Sequence, residues 1–367
     1  TFLTEKFPLQ AALADKMVVI RSLHHDNGDH FAAGHWMLTG RFGSTSTNLP
    51  SMYPSLGSCI TRVRGCISNG LPAYVGLPAA HAIYKYPGYM GSAYLGEAYN
   101  PFQVNNSQRY MASTYTSPIQ APTFLGSLKD SSTSRSSDRL GLLKQLDQTR
   151  RQIDQSGMME SMDQFQQQAF DLVSGEKARE AFDIEKESPA TRDRYGRGPW
   201  GHYTLFARRL VEAGVRFVTV DMPHWDNHSG IDKGHGAKVP YVDQAVSALL
   251  TDLSDSGLLD DVIVLVMGEF GRTPRLNKGQ PGIPIPGRDH WGNAISAMIA
   301  GGGLKGGQVV GATNSKAEHP VERPLSPADL LATVYKAMGI DPEMTFENHA
   351  GRPIAILDNC EPIWEIL

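Results

Sequence analysis

Apolar positions along the chain gather into short runs whose spacing alternates between strand and helix. Residues 17–22 (MVVIRS) make a run of strand length, as do residues 71–77 (LPAYVGL), 216–221 (RFVTVD), 262–268 (VIVLVMG) and 293–299. Helical spacing covers residues 8–16, 31–39, 52–64, 202–213, 241–253 and 327–338. Gly40 and Gly214 stand where two of these helices stop, and Ser326 stands where one starts. Residues 140–174 and 176–187 read as further helices, the first polar and rich in Gln and Met. Residues 86–137 are rich in Tyr, Gly, Pro, Ser and Thr and end in the Ser-rich run 131–137, the composition of solvated loop. Strand and helix in alternation predict an α/β fold with a mostly parallel sheet covered on both faces. The expected organisation is one domain over residues 1–367, with a loop and helical insertion at about 86–190.

Composition narrows the class. Apolar residues make up 41% of the 367 and charged residues 20%, with a net charge of −4. That excludes a disordered chain and argues against a nucleic-acid partner recruited by a basic field. No apolar run approaches the roughly 18 residues of a membrane helix. Cys59 and Cys66 either pair or remain free thiols, as Cys360 does, and without a Cys-x-x-Cys pair a thiolate zinc site is disfavoured. The sequence opens at Thr1 rather than Met, the mark of a removed leader or a trimmed chain.

The chemistry lies beside the strands. In an α/β sheet, ligands bind beyond the carboxyl ends of the strands. The first strand is followed by His24, His25, Asp26, Asp29 and His30, and the 216–221 strand by Asp221, His224, Asp226 and His228. Glu269 and Arg272 follow the 262–268 strand, and Arg288, Asp289 and His290 precede the 293–299 strand. Asp, Glu and His without Cys suit Zn²⁺, Mn²⁺ or iron, and Ca²⁺ less well. The donors are numerous enough for one or two divalent ions, and Arg272 and Arg288 match a sulfuryl or phosphoryl oxyanion. Plainer roles compete: Asp29 as a helix N-cap, Glu269 as a salt-bridge partner of Arg272, Trp225 and Trp291 as packing, and Asp221 as a strand-end carboxyl.

Four segments carry a family resemblance. His224-Trp225-Asp226-Asn227-His228, Met267-Gly268-Glu269-Phe270-Gly271-Arg272-Thr273-Pro274, Gly287-Arg288-Asp289-His290-Trp291 and Ala300-Gly301-Gly302-Gly303-Leu304-Lys305-Gly306-Gly307 resemble the bacterial DUF1501 family, often placed beside sulfatases in the alkaline phosphatase superfamily. The resemblance runs over nearly the whole chain and is least in the middle, about 100–175. It implies a three-layer α/β/α sandwich with a divalent metal site (Zn, Mn or Ca) at the sheet's carboxyl edge. Asp226 and His228 resemble the Asp and His of one metal, and His290, with Asp289 beside it, resembles the late His ligand. Glu269 stands where the superfamily has an Asp followed by His, and here Phe270 follows. The superfamily's nucleophile position falls at Asp29 or His30, without the Cys-x-Pro-x-Arg of formylglycine sulfatases. Its first-strand Asp falls before Thr1, so the N-terminal strand is expected to be missing.

The implied function is metal-dependent hydrolysis of a sulfate or phosphate ester, on a small molecule or a glycan. Asp226, His228, Glu269, Asp289 and His290 would hold metal, Arg272 and Arg288 the oxyanion, and His30 or a metal-bound hydroxide would attack. Two other readings stay open: a non-catalytic protein that keeps its metal and binds an acidic glycan or a protein, and a phosphomutase or phosphonate-cleaving enzyme. Family resemblance also implies export, to the periplasm or beyond.

Overall fold

A computed structural model describes residues 4–43, 52–67, 71–77, 90–104 and 180–367. The expectations for 131–137 and 140–174, and most of the insertion, lie outside the described residues. The fold is mixed α/β. A four-stranded sheet has the order β5-β8-β1-β9, built from β1 (Met17–Leu23), β5 (Val264–Val266), β8 (Ile295–Ala300) and β9 (Gln308–Val310). A second sheet, β3-β2-β4, is wholly parallel and comprises β2 (Tyr74–Leu77), β3 (Phe102–Gln103) and β4 (Phe217–Val220). A two-stranded hairpin of β6 (Gly271–Arg272) and β7 (His290–Trp291) lies between β5 and β8 in the chain.

The expectation of a mostly parallel sheet holds for the second sheet, whereas the first is mixed, with β9 parallel to β1. There β8 runs antiparallel to both β1 and β5, with Val18 opposite Ile299 and Leu265 opposite the same residue. The reason is the connection. Parallel neighbours need a crossover, usually helical, and the chain from β5 to β8 contains the β6–β7 hairpin and no helix. As a result, the amino end of β8 shares an edge with the carboxyl ends of β1 and β5, which is why His290 reaches the site from in front of its strand.

Side chains of β1 and β8 alternate between two faces, as the two-residue period of a strand requires. Val18, Ile20, Ala297 and Ile299 join one core with Met37 of α2 (His30–Thr39), Ile60 of α3 (Leu56–Arg64) and Leu331 and Val334 of α8 (Pro327–Ala337). Met17, Met298 and Ala300 join another with Trp200 of α5 (Pro199–Glu212) and Val242, Val246 and Leu250 of α7 (Val239–Asp255). Each buried aliphatic side chain contributes about 1.5–3 kcal/mol. Among the described residues the three remaining helices are short: α1 (Pro8–Ala11), α4 (Pro189–Tyr195) and α6 (Ile231–Gly236).

Local chemistry sets the boundaries. The predicted 8–16 helix divides into α1 and a 3₁₀ turn, Ala14–Lys16. The helix expected over 52–64 starts only at Leu56, where the Ser55 side chain accepts from Ser58 N. In place of a helix through 187 there is a 3₁₀ turn, Ile184–Lys186, capped by Asp183. Ser326 and Asp329 cap α8 reciprocally. Gly40 ends α2 at φ +73°, and a Cβ there would come within 2.3 Å of Leu357 Cδ2. All three cysteines are free thiols.

Candidate metal centre

The site is assembled from four strand edges. His30 is the first residue of α2, and Asp29 caps that helix by accepting from Phe31 N and Ala32 N. Asp29 thus has a structural job and sets the angle at which His30 leaves the sheet. Glu269 follows β5, Asp226 and His228 follow β4, and His290 opens β7.

Asp226 is the hub. Its Oδ1 lies 2.9 Å from Arg272 Nη2, 2.9 Å from His228 Nε2 and 2.9 Å from His290 Nε2. Its Oδ2 lies 3.3 Å from His30 Nε2. Burial opposes ionisation of this carboxyl, but hydrogen bonds from His290 and Arg272 and the charges of His30 and His228 hold it well below the usual carboxylate range. One ligand atom each from His30, Asp226 and His290 falls within 4.8 Å of the others.

The far nitrogens of the three imidazoles decide how those rings are used. His30 Nδ1 lies 2.9 Å from Glu269 Oε1, His228 Nδ1 2.9 Å from Asp289 Oδ1, and His290 Nδ1 2.7 Å from the Gly28 carbonyl. A carbonyl can only accept. Both carboxylates also accept: burial of Glu269 is outweighed by the His30 hydrogen bond, and the His228 hydrogen bond lowers Asp289. Each Nδ1 therefore carries a proton, and in the neutral ring each Nε2 presents a lone pair toward Asp226. Three lone pairs facing one carboxylate repel unless protons or a cation lie among them. A histidine oriented by a carboxylate or carbonyl on its second nitrogen is the usual support of a metal ligand. The donor set accordingly fits a divalent cation of the Zn²⁺, Mn²⁺ or Fe²⁺ type.

Around this centre the other expected residues find distinct places. His25 is buried and stacks on Trp36 at 5.4 Å. Its Nε2 donates to the Glu269 carbonyl over 2.7 Å while its Nδ1 accepts from Asn27 N, so it steadies Glu269 from beneath. Phe270 stacks on His290 with centroids 4.1 Å apart and lies 5.0 Å from His30. Arg272 pairs with Asp226 and also donates to the carbonyls of Trp225 and Arg288, both at 3.1 Å. Arg288 donates to the Thr273 carbonyl over 2.5 Å. Asp221 is not in the three-residue group. Its burial, with the charge of Glu269, pushes its carboxyl up to about 8. Trp225 packs on Trp200 at 5.5 Å, and Trp291 donates to the Glu318 carbonyl.

Several contributors escaped the sequence reading. Asn277 Nδ2 donates to both Asp289 Oδ1 and the His228 carbonyl, 3.0 Å each. Lys238 is buried and donates to the His224 carbonyl and to Asn227 Oδ1. His224 itself has φ +75°, a left-handed conformation that costs a non-glycine residue about 1–2 kcal/mol. For Asn277 the Asn-Lys-Gly turn was a weak clue. For Lys238 the sequence held none.

With this geometry in view, comparison with known proteins places the chain. The family described as "Protein of unknown function (DUF1501)" matches residues 2–367. The chain belongs to the DUF1501 family. No curated protein matches this DUF1501 chain. Among solved structures, it is similar to Ps i-CgsB in complex with k-i-k-neocarrahexaose, at 13% identity and a TM-score of 0.40 over 91% of this chain and 67% of that one. It is similar also to the phosphonate monoester hydrolase SpPMH from Silicibacter pomeroyi (13%, 0.38, over 91% and 68%). A third is the PsFucS1 sulfatase from Pseudoalteromonas sp. (12%, 0.39, over 91% and 62%). The DUF1501 chain spans about two thirds of the length of each. No described helix is long and apolar enough to cross a membrane.

Proposed function

We propose that this DUF1501 protein is a metal-dependent hydrolase of sulfate or phosphate esters, built on an alkaline phosphatase-like three-layer sandwich. One observation carries the reading: three Nε2 atoms converge on Asp226 while each Nδ1 is held by an acceptor. Asp226, His228 and His290 are the proposed ligands, and His30 joins them. Both ring nitrogens of His30 already face carboxylates, so we assign it to ligation rather than to attack on the ester. A divalent ion bound here would supply Lewis-acid neutralisation of charge on the ester oxygens.

The other residues prepare the centre. Glu269 and Asp289 fix the rings of His30 and His228 and raise their basicity. Arg272 holds Asp226 ionised and in place. Arg272 and Arg288 lend positive charge at the rim for a sulfuryl or phosphoryl group. By family resemblance the protein works in the periplasm or outside the cell, as a single domain over residues 1–367 with an insertion at about 86–190.

A second reading, a metal-retaining binding protein, draws support from the guanidinium contacts. Arg272 and Arg288 both donate to backbone carbonyls, as they would in a purely structural hairpin clamp. Elemental analysis of the purified protein and of Asp226→Ala, followed by turnover of aryl sulfate and aryl phosphate, separates the two. Metal lost in the variant together with metal-dependent turnover supports the hydrolase. Metal without turnover favours the binding protein. Failure to retain Zn²⁺ or Mn²⁺ overturns both.

A further inference from the structure

The turn that carries Asp226 is held from below by a buried ammonium. Lys238 stands between α6 and α7, is 6% exposed, and directs its Nζ to two acceptors on this turn. One is the carbonyl of His224, whose φ is +75°. The other is Asn227 Oδ1, at 2.7 Å. Nζ also lies 5.5 Å from the centroid of Trp225, within cation–π reach. Neither acceptor is charged, so this ammonium is buried without a carboxylate among its hydrogen-bond partners, an arrangement proteins rarely keep. His235 and Arg272 bind the Trp225 carbonyl from either side, each at 3.1 Å. A Cβ on Gly234 would meet the Asn227 amide at 2.6–2.8 Å, so α6 is seated directly against the same turn.

The 224–227 turn is thus pinned at residues 224, 225 and 227, on either side of Asp226, whose own carboxylate reaches out to the imidazoles. We infer that Lys238 is a positioning residue that holds the strained 224–227 turn in the shape that aims Asp226 at the three histidines. The inference rests on the metal-centre reading above. It also fixes the sign of an effect. A positive charge acting only through space repels a cation, so deleting it tightens metal binding. A positioning lysine acts the other way, and deleting it loosens metal binding.

The test is Lys238→Met, which keeps the buried stem and removes the three donors. Mn²⁺ and Zn²⁺ affinities are measured by competition with a chromophoric chelator for the wild type, Lys238→Met and Asp226→Ala. Supporting residues of this kind typically change metal affinity 10–100-fold, and a loss of that size is expected. In Co²⁺-loaded protein the visible band shifts in Lys238→Met, whereas a variant that is merely less stable keeps the wild-type band. Unchanged or tighter binding by Lys238→Met, with wild type binding and Asp226→Ala not, overturns the positioning role and leaves the metal centre standing. Wild type that binds no better than Asp226→Ala overturns the centre and the role together. Should metal-free Lys238→Met fail to fold by circular dichroism, Asn227→Ala, which removes one of the two acceptors, takes its place. A several-fold loss there supports the role, and unchanged affinity overturns it.

Discussion

Metal uptake by this protein should expel a proton from His30, and the hydrogen bonds give the reason. Its Nε2 faces Asp226 Oδ2 at 3.3 Å and its Nδ1 faces Glu269 Oε1 at 2.9 Å, while ligation requires a bare Nε2. The carboxylates contribute no protons, because Asp226, Glu269 and Asp289 are all held below their ordinary values. The His30 proton is worth about 1.36 kcal/mol per pH unit while the ring is protonated, about tenfold in apparent affinity per unit. This dependence extends above the ordinary imidazole value of about 6.5. Burial opposes protonation of the ring, but the hydrogen bond and charge of Glu269, with Asp226 beyond, raise its pKa. The assay is isothermal titration of Zn²⁺ or Mn²⁺ at pH 5.5, 7 and 8.5 in buffers of different ionisation enthalpy, which counts the protons directly. The count should fall as pH rises, and His30→Gln should remove one proton. Binding with no proton release at any pH, or a count that His30→Gln leaves unchanged, refutes the reasoning.

Three further outcomes follow from single contacts. Asp289→Ala weakens metal binding about 10–100-fold through the loss of its hold on His228, with little change in thermal stability because the carboxylate is 55% exposed; chelator competition and a melting curve check both halves. Gly40→Ala costs about 2–4 kcal/mol, combining the left-handed φ of +73° with the 2.3 Å approach to Leu357, as read by urea denaturation. Metal-free protein is most stable, as far as His30 is concerned, below about pH 6.5. A raised imidazole favours the folded state while it is protonated, so that contribution disappears as pH climbs through the raised value, which urea midpoints at pH 6, 7 and 8 will show.

The sequence exposed the elements better than it exposed their pairing. Strand β1, the stop of α2 at Gly40 and the capping of α8 by Ser326 were legible because each rests on a local signal: an apolar run, a left-handed glycine, a hydroxyl before a helix. The direction of β8 was not, since an apolar run looks the same forwards and backwards. Only the missing crossover between Val266 and Ile295 betrays it. Candidate ligands were legible for a similar reason. His30, Asp226, His228, Glu269 and His290 each border a strand, and the edge gathers them. What supports them was not legible, because Lys238, Asn277 and the Gly28 carbonyl act through backbone shape and long-range contact. His25 illustrates the limit: in sequence it is another histidine of the cluster, yet its two nitrogens are committed to Glu269 O and Asn27 N beneath the site.

Under the proposed function, charge balance connects the centre to an anionic substrate. Asp226, Glu269 and Asp289 bring three negative charges to the site, and Arg272, Arg288 and Lys238 bring three positive ones. Asp221 adds nothing at neutral pH, because burial and the charge of Glu269 keep its carboxyl protonated there. The imidazoles apart, the site is thus close to electroneutral, and a dication bound there would leave it positive. Under the proposed function, metal would therefore do more than complete a coordination shell. It would turn this patch at the sheet edge into an attractor for sulfate or phosphate monoesters, concentrating anions there and speeding their arrival at low salt. Metal occupancy and substrate affinity would then rise together, and the aromatic wall of Phe270 against His290 lowers the local dielectric on one side of the centre. A lower dielectric strengthens each of those charges where the ester would lie.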